Sequence, residues 1–183
     1  GGFAKRLEKR LPEKTTEREY AKIVVSEVSR LERILRDTLT FSREAKFHLQ
    51  HADLNQLLAR TEAKFSEVCR EKGLLLVVRP ARDLPSCIVD DDQIRQALDN
   101  LVTNAVDAMT TGGTLTLATR TACEHGTNYV VLDVMDTGPG VSPDLAERIF
   151  EPFYSTKEIG HGTGLGLSIC KKIMEEHRGA IRV

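Results

Sequence analysis

The sequence predicts an α+β fold: a two-layer sandwich with helices on one face of a sheet, preceded by an antiparallel helical hairpin. Two observations carry this. Residues 1–43 hold apolar side chains at helical spacing in two runs, broken between Pro12 and Thr16. From Asp53 onward, short β-type runs alternate with longer stretches whose apolar residues recur three and four apart.

Phe3, Ala4, Leu7 and Leu11 define the first helix, and a longer one runs from about Glu17 to Phe41. Its stripe is Tyr20, Val24, Val28, Leu31, Ile34, Leu35 and Phe41, with Arg and Glu on the other faces. A short connection makes the pair an antiparallel hairpin. One hairpin cannot bury that stripe alone. Two from two chains would form a four-helix bundle, and the plainer option is a hairpin folded back on its own domain. Residues 44–52 read as a linker. Asp53 opens a helix with Gln56 as its capping-box partner, and Lys72-Gly73 closes it. Strands follow at Leu74 to Arg79 and Cys87 to Val89.

Asp90, partnered by Gln93, caps a helix that carries Ile94, Ala97, Leu98, Leu101, Val102 and Ala105 on one face. Gly112-Gly113 turns into a strand at Thr114 to Arg120, and another strand spans Tyr129 to Met135. A short helix near Pro143 to Phe150, a loop to Thr163, a helix from Gly164 to His177 and the start of a strand at Ile181 to Val183 complete the reading.

A net charge of -1 over 183 residues offers no basic field for nucleic acid. The longest apolar runs, Leu74 to Val78 and Tyr129 to Val134, fall far short of the ~20 residues a membrane span needs. The N-terminal segment lacks a signal-peptide core. Cys69, Cys87, Cys123 and Cys170 are scattered, which fits a reducing cytosol and a packing role for all four. The P-loop, the dinucleotide fingerprint, the H-R-D and D-F-G pieces of eukaryotic-type kinases and paired zinc ligands are all absent.

Four segments carry chemistry. Asn100 and Asn104 share one helix face, where Asn competes with the backbone and needs a reason to stand. An amide oxygen is a hard ligand suited to Mg²⁺, although a solvated polar face explains the pair equally well. Asp136-Thr-Gly138-Pro-Gly140 ends an apolar strand. Its glycines let backbone approach a flat ligand and its carboxylate could accept from an exocyclic amine; taken alone, a plain turn explains it better. Phe150-Glu-Pro-Phe153-Tyr-Ser-Thr-Lys157 suits a lid anchored by aromatics, with ordinary packing as the alternative. Gly160-His-Gly162-Thr163-Gly164-Leu165-Gly166 opens a helix, leaving free N–H groups at its positive end, where phosphate binds.

In this order the four segments resemble the N, G1, F and G2 boxes of sensor histidine kinases, within the GHKL superfamily that includes type II topoisomerases and heat-shock chaperone ATPases. The resemblance runs from about Asp53 to Val183. The hairpin is similar to the dimerisation and phosphotransfer region of the same kinases, and the short lid to their nitrogen-regulation subgroup. The resemblance implies a Bergerat-type ATP-binding fold and transfer of the γ-phosphate of ATP to histidine. Asn104 would hold Mg²⁺, with Asn100 near the metal and γ-phosphate. Asp136 would bind the adenine amine, and Gly138 and Gly140 would admit the ring. Lys157, Gly162, Thr163, Gly164, Leu165 and Gly166 would meet the phosphates, while Phe150 and Phe153 position the lid.

A homodimer through the hairpin, a response-regulator receiver domain as partner and a cytoplasmic location are implied, with any membrane attachment coming from an upstream region. The divisions expected are 1–43 (partial hairpin), 44–52 (linker) and 53–183 (ATP-binding domain, incomplete at its C-terminus). Three departures stand out. No H-[ED]-x-[RK]-N-P acceptor segment is present, so none of His48, His51, His125, His161 and His177 is assigned as acceptor; they read as surface or lid histidines. The closing G-T-x-F segment is missing. Asp107 stands where many relatives carry a basic residue. The competing readings are a clamp ATPase of the same superfamily, disfavoured because Asn100 cannot act as a general base, and a dimerisation scaffold with a decayed nucleotide site.

Overall fold

The computed structural model describes residues 2–3, 6, 10–12, 15–42, 48–110, 112–155 and 163–183, with backbone alone at 30, 33–34 and 36–42. The first helix of the expected hairpin lies largely outside these residues. Helix α1 (Thr16–Ser42) matches the second. Thr15 caps it, its hydroxyl accepting from the Arg18 N–H at 3.3 Å. Most of the stripe faces solvent: Tyr20, Val24, Leu31 and Leu35 are more than half exposed, as is neighbouring Ile23, while Val28 is half-buried. Only Ala21 is buried among the described residues of this helix, which packs on the last helix. The side chains of Ile34 and Phe41 lie outside the described set.

The sandwich is built from β1 (Gln50–Ala52), α2 (Leu54–Glu71), β2 (Leu74–Arg79), β3 (Cys87–Val89), α3 (Asp91–Ala108), β4 (Gly113–Glu124), β5 (Thr127–Asp136) and α4 (Gly166–Glu176). Strand β4 is central, parallel to β2 and antiparallel to β5. Strand β1 pairs antiparallel with β3 in a separate ladder. Residues 50–52, read as the end of a linker, are therefore part of the folded unit. Leu57, Leu58, Leu98, Val102, Leu115, Leu117, Leu165 and Ile169 fill the space between the layers. Alternation along β4 puts Leu115, Leu117 and Thr119 inward. The Thr119 hydroxyl is satisfied there, donating to Asn55 Oδ1 at 2.6 Å and accepting from the Ala81 N–H at 2.8 Å.

Several boundaries differ from the sequence reading. Strands β4 and β5 run on to a two-residue turn at His125 (φ 51) and Gly126 (φ 79), whose paired positive φ matches the twist of a hairpin. Between Pro143 and Phe150 stand two 3₁₀ turns instead of a helix. Asp53 caps α2 by accepting from the Asn55 N–H at 2.9 Å. Residues 179–183 join no ladder; Arg182 instead makes two 2.8 Å bonds to Glu124. Cys69 and Cys170 are buried as expected, but Cys123 is exposed. No helix among the described residues is long and apolar enough to cross a membrane.

Candidate functional site

Helix α3 forms one wall of the site, and two glycine-containing turns close on it. Asp90 starts the helix, its carboxylate accepting from the Gln93 N–H at 3.1 Å and from the Gln93 side chain at 3.4 Å. Burial of the apolar face, Ile94 to Val106, turns Asn100 and Asn104 toward the start of α4. The Asn100 carboxamide donates to the Gly166 carbonyl at 3.3 Å. The Asn104 carboxamide has no hydrogen-bond partner among the described residues. An added Cβ on Gly166 would point between the two, 3.9 Å from Asn104 Nδ2 and 4.0 Å from Asn100 Cγ.

Antiparallel helices α3 and α4 are held in register by three polar bonds through an otherwise apolar contact. The Asp90 N–H donates to His177 Nε2 at 2.9 Å, the Cys170 thiol to the Ala97 carbonyl at 3.4 Å, and Asn100 to Gly166. Burial pushes the Cys170 thiol up to about 12, so it stays protonated. His177, read as a surface or lid histidine, is half-buried and engaged at both ring nitrogens. Nothing in its local sequence shows this, because Asp90 lies 87 positions away.

The first turn of α4 has no side-chain cap, which leaves its opening N–H groups beside the two asparagines. Such a helix end favours an anion. The Leu165 side chain belongs to the core with only 1% exposure, and its N–H meets the Thr163 hydroxyl at 3.3 Å.

Asp136 ends β5 at the far end of α3. Its Oδ1 accepts from the Gly138 N–H at 2.8 Å, and its side chain is exposed. A Cβ on Gly138 would stand 2.7 Å from that oxygen, so a larger residue there would push the Asp136 carboxylate aside, while Ala108 Cβ on α3 would lie at an ordinary 3.5 Å. Gly140 adopts φ 71 in open space. Thr137, which the sequence reading passed over, accepts from the Thr114 N–H at 2.9 Å and fixes the turn to β4.

The flanks of the expected lid are joined backbone to backbone. The Phe153 N–H donates to the Gly164 carbonyl at 2.9 Å, with both residues at φ 67. Phe150 is half-buried at the end of the second 3₁₀ turn, whereas the Phe153 ring is 71% exposed. At Phe153 it is the backbone that ties the two flanks together, while the ring faces solvent. Lys157 and Gly162 lie outside the described residues. Asp107 pairs with Lys72 at 3.6 Å.

Asn100, Asn104, Asp136, Gly140, Phe150, Thr163, Gly164 and Gly166 line one continuous cleft of about 3000 Å³. That exceeds the ~300–1,000 Å³ of a small-molecule pocket because the cleft continues along β5. Its part between α3 and the lid flanks is the candidate site. The donor set suits a magnesium nucleotide: carboxamide oxygens for a hard cation, uncapped helix amides for phosphate and one free carboxylate oxygen for an amine. Among the described residues no group of three His, Cys, Asp or Glu side chains forms a metal cluster.

The fold and this site define an ATP-binding unit in which one helix carries two asparagines against the start of another. The chain belongs to the histidine kinase-, DNA gyrase B-, and HSP90-like ATPase family, whose model matches residues 89–183. It is 34% identical over 182 residues to the sensor histidine kinase ZraS of Salmonella typhi, covering 100% of this chain and 38% of that protein. Among solved structures, histidine kinase ThkA in complex with response regulator protein TrrA matches at 32% identity. Its TM-score is 0.73, covering 98% of this chain and 50% of that one. Full-length ShkA in complex with AMPPNP also gives a TM-score of 0.73, at 30% identity over 95% of this chain and 37% of that one. The chain thus spans about two fifths of the length of its first curated relative.

Proposed function

We propose that this chain is the ATP-binding unit of a protein histidine kinase in a two-component system. Its parent would transfer the γ-phosphoryl group of ATP to a histidine and then to a response-regulator aspartate. The observation that carries this is the convergence of Asn100 and Asn104 on the uncapped start of α4, with Asp136 lining the same cleft. The similarity to ThkA, solved with a response regulator, and to ShkA, solved with AMPPNP, supports the same reading.

Asn104, with Asn100 beside it, would hold Mg²⁺, which supplies charge neutralisation on the phosphates. The free Asp136 oxygen accepts from the adenine amine, and the amides of Gly166 and the residues after it receive phosphate. Phosphoryl transfer asks little covalent chemistry of a protein: one P–O bond breaks as a P–N bond forms, ADP departs, and the imidazole proton is lost to water. The contribution of these residues is alignment and fixed positive potential. Residues 1–43 form the partner-binding hairpin in this reading, and the exposed stripe of α1 is its dimer face. Residues 44–49 connect it to the folded unit, which begins with β1 at Gln50, and the location is cytoplasmic.

Titration with AMPPNP tests the reading. Binding should require Mg²⁺, vanish with chelator, and fall at least tenfold in Asn104→Ala and Asp136→Ala with unchanged melting. Absence of binding by an intact, folded chain would defeat it.

A further inference from the structure

Asp90 joins three segments that are distant in sequence. Its carboxylate Oδ2 accepts from the His48 N–H at 3.0 Å, where the chain arrives from α1. Its Oδ1 caps α3 through the Gln93 N–H. Its own N–H goes to His177 Nε2, at the C-terminal end of α4. Asp90 is only 7% exposed, so each of these bonds replaces water that cannot reach it.

His177 fits this place in one form alone. Nδ1 lies 2.7 Å from the Ile173 carbonyl and must donate to it; Nε2 receives the Asp90 N–H and must offer a lone pair. The ring is therefore the neutral Nδ1–H tautomer. It grips the last turn of its own helix with one nitrogen and the first residue before α3 with the other. Because α3 and α4 run antiparallel, this fixes the far end of the contact whose near end is Asn100 on Gly166. A slide of α4 by one residue would displace Gly166 by ~1.5 Å relative to both asparagines, enough to spoil a metal-phosphate arrangement.

We propose that His177 and Asp90 are positioning residues for the nucleotide site: together they set the register of α4 against the asparagine helix and couple it to the connecting segment at His48. This rests on the nucleotide-binding reading above. Movement of the segment after α1 would then reach the phosphate-binding helix end through one carboxylate and one imidazole.

Three variants of the whole chain test it, each checked by thermal melting. His177→Leu keeps bulk but offers no acceptor. His177→Gln can accept from the Asp90 N–H and donate to the Ile173 carbonyl. Asp90→Asn leaves one acceptor oxygen where two served. Affinity for Mg-AMPPNP and amide exchange at His48 are measured on each.

His177→Leu should bind at least fivefold more weakly and exchange the His48 amide at least tenfold faster, and His177→Gln should restore both to within about twofold. Asp90→Asn should speed His48 exchange with His177 intact. AMPPNP should slow His48 exchange in the unaltered chain and fail to do so in His177→Leu. Unchanged affinity in His177→Leu would overturn the proposal, as would a glutamine variant no better than leucine, or weakened binding with unaltered His48 exchange. If the unaltered chain binds no AMPPNP, the nucleotide reading itself fails; if it binds but the variants match it, only the positioning role fails.

Discussion

Replacing Gly164 by alanine tests the joined flanks of the lid, and Gly166 provides the control. A Cβ on Gly164 would stand 2.4 Å from the Phe153 carbonyl carbon and 2.7 Å from its Cα and oxygen. These are backbone atoms, with no rotamer to yield. The positive φ adds roughly 1 kcal/mol for an L side chain. Relieving the clash means opening the Phe153 N–H bond to Gly164, forfeiting about 1 kcal/mol more. Together, about 2 kcal/mol acts against the closed flanks, which lowers their population roughly 30-fold.

At Gly166 the nearest atoms to an added Cβ are 3.9 and 4.0 Å away, an ordinary contact. Alanine is the better helix former there by up to about 1 kcal/mol. Its methyl, however, points between Asn104 and Asn100. Gly164→Ala should therefore bind Mg-AMPPNP at least tenfold more weakly with Phe153 amide exchange accelerated. Gly166→Ala should melt no lower than the parent yet also lose affinity. Calorimetric titration, melting and amide exchange on both variants separate the two effects. A Gly164→Ala protein with unchanged affinity and a protected Phe153 amide would refute the reasoning.

Three further outcomes are expected. Thr119→Val should cost about 1–3 kcal/mol in urea unfolding, because the Ala81 N–H and the Asn55 oxygen lose their buried partner. Burial alone would raise the Asp90 carboxyl, but the N–H groups of His48, Gln93 and Asp92 and the Gln93 side chain outweigh it and hold it below 3.8. Its stabilisation is present above pH 3.8 and lost as pH falls through the lower folded value, so Asp90→Asn should show a shallower acid limb in pH-dependent melting. A thiol reagent at neutral pH should label exposed Cys123 first and Cys170 only on unfolding. Burial raises the Cys170 thiol from 9.0 to about 12, so its stabilising share is complete below pH 9.0 and fades as pH climbs toward 12; prompt labelling of all four thiols would contradict this.

Local chemistry made much of the fold readable. Lys72-Gly73 marks the start of β2, Asp90 marks the start of α3, and a clean apolar face identifies that helix. The hairpin extension was hidden because Arg120-Thr-Ala-Cys-Glu124 has no apolar alternation; pairing with β5, not propensity, makes it a strand. Strand order was equally hidden, since β2 lies parallel to β4 while β1 pairs with β3. Within the site, spacing alone brought Asn100 and Asn104 to one face, and glycine alternation marked the opening of α4. The burial of the Leu165 side chain could not be read from its motif position, which does not tell which way a side chain turns. His177 and Thr137 were missed because their partners, Asp90 and Thr114, are supplied by the tertiary fold.

The direct backbone link between Phe153 and Gly164 has a consequence for how this scaffold tolerates change. With both stems tied, the number of residues strung between them is mechanically independent of the packed layers. Doubling that number costs roughly 0.6 kcal/mol in closure entropy, little beside the stability of a domain. Foreign segments of unequal length should therefore graft between these stems without unsettling α3 or α4. Diversification of the protein's surface would be expected to gather at this insertion point.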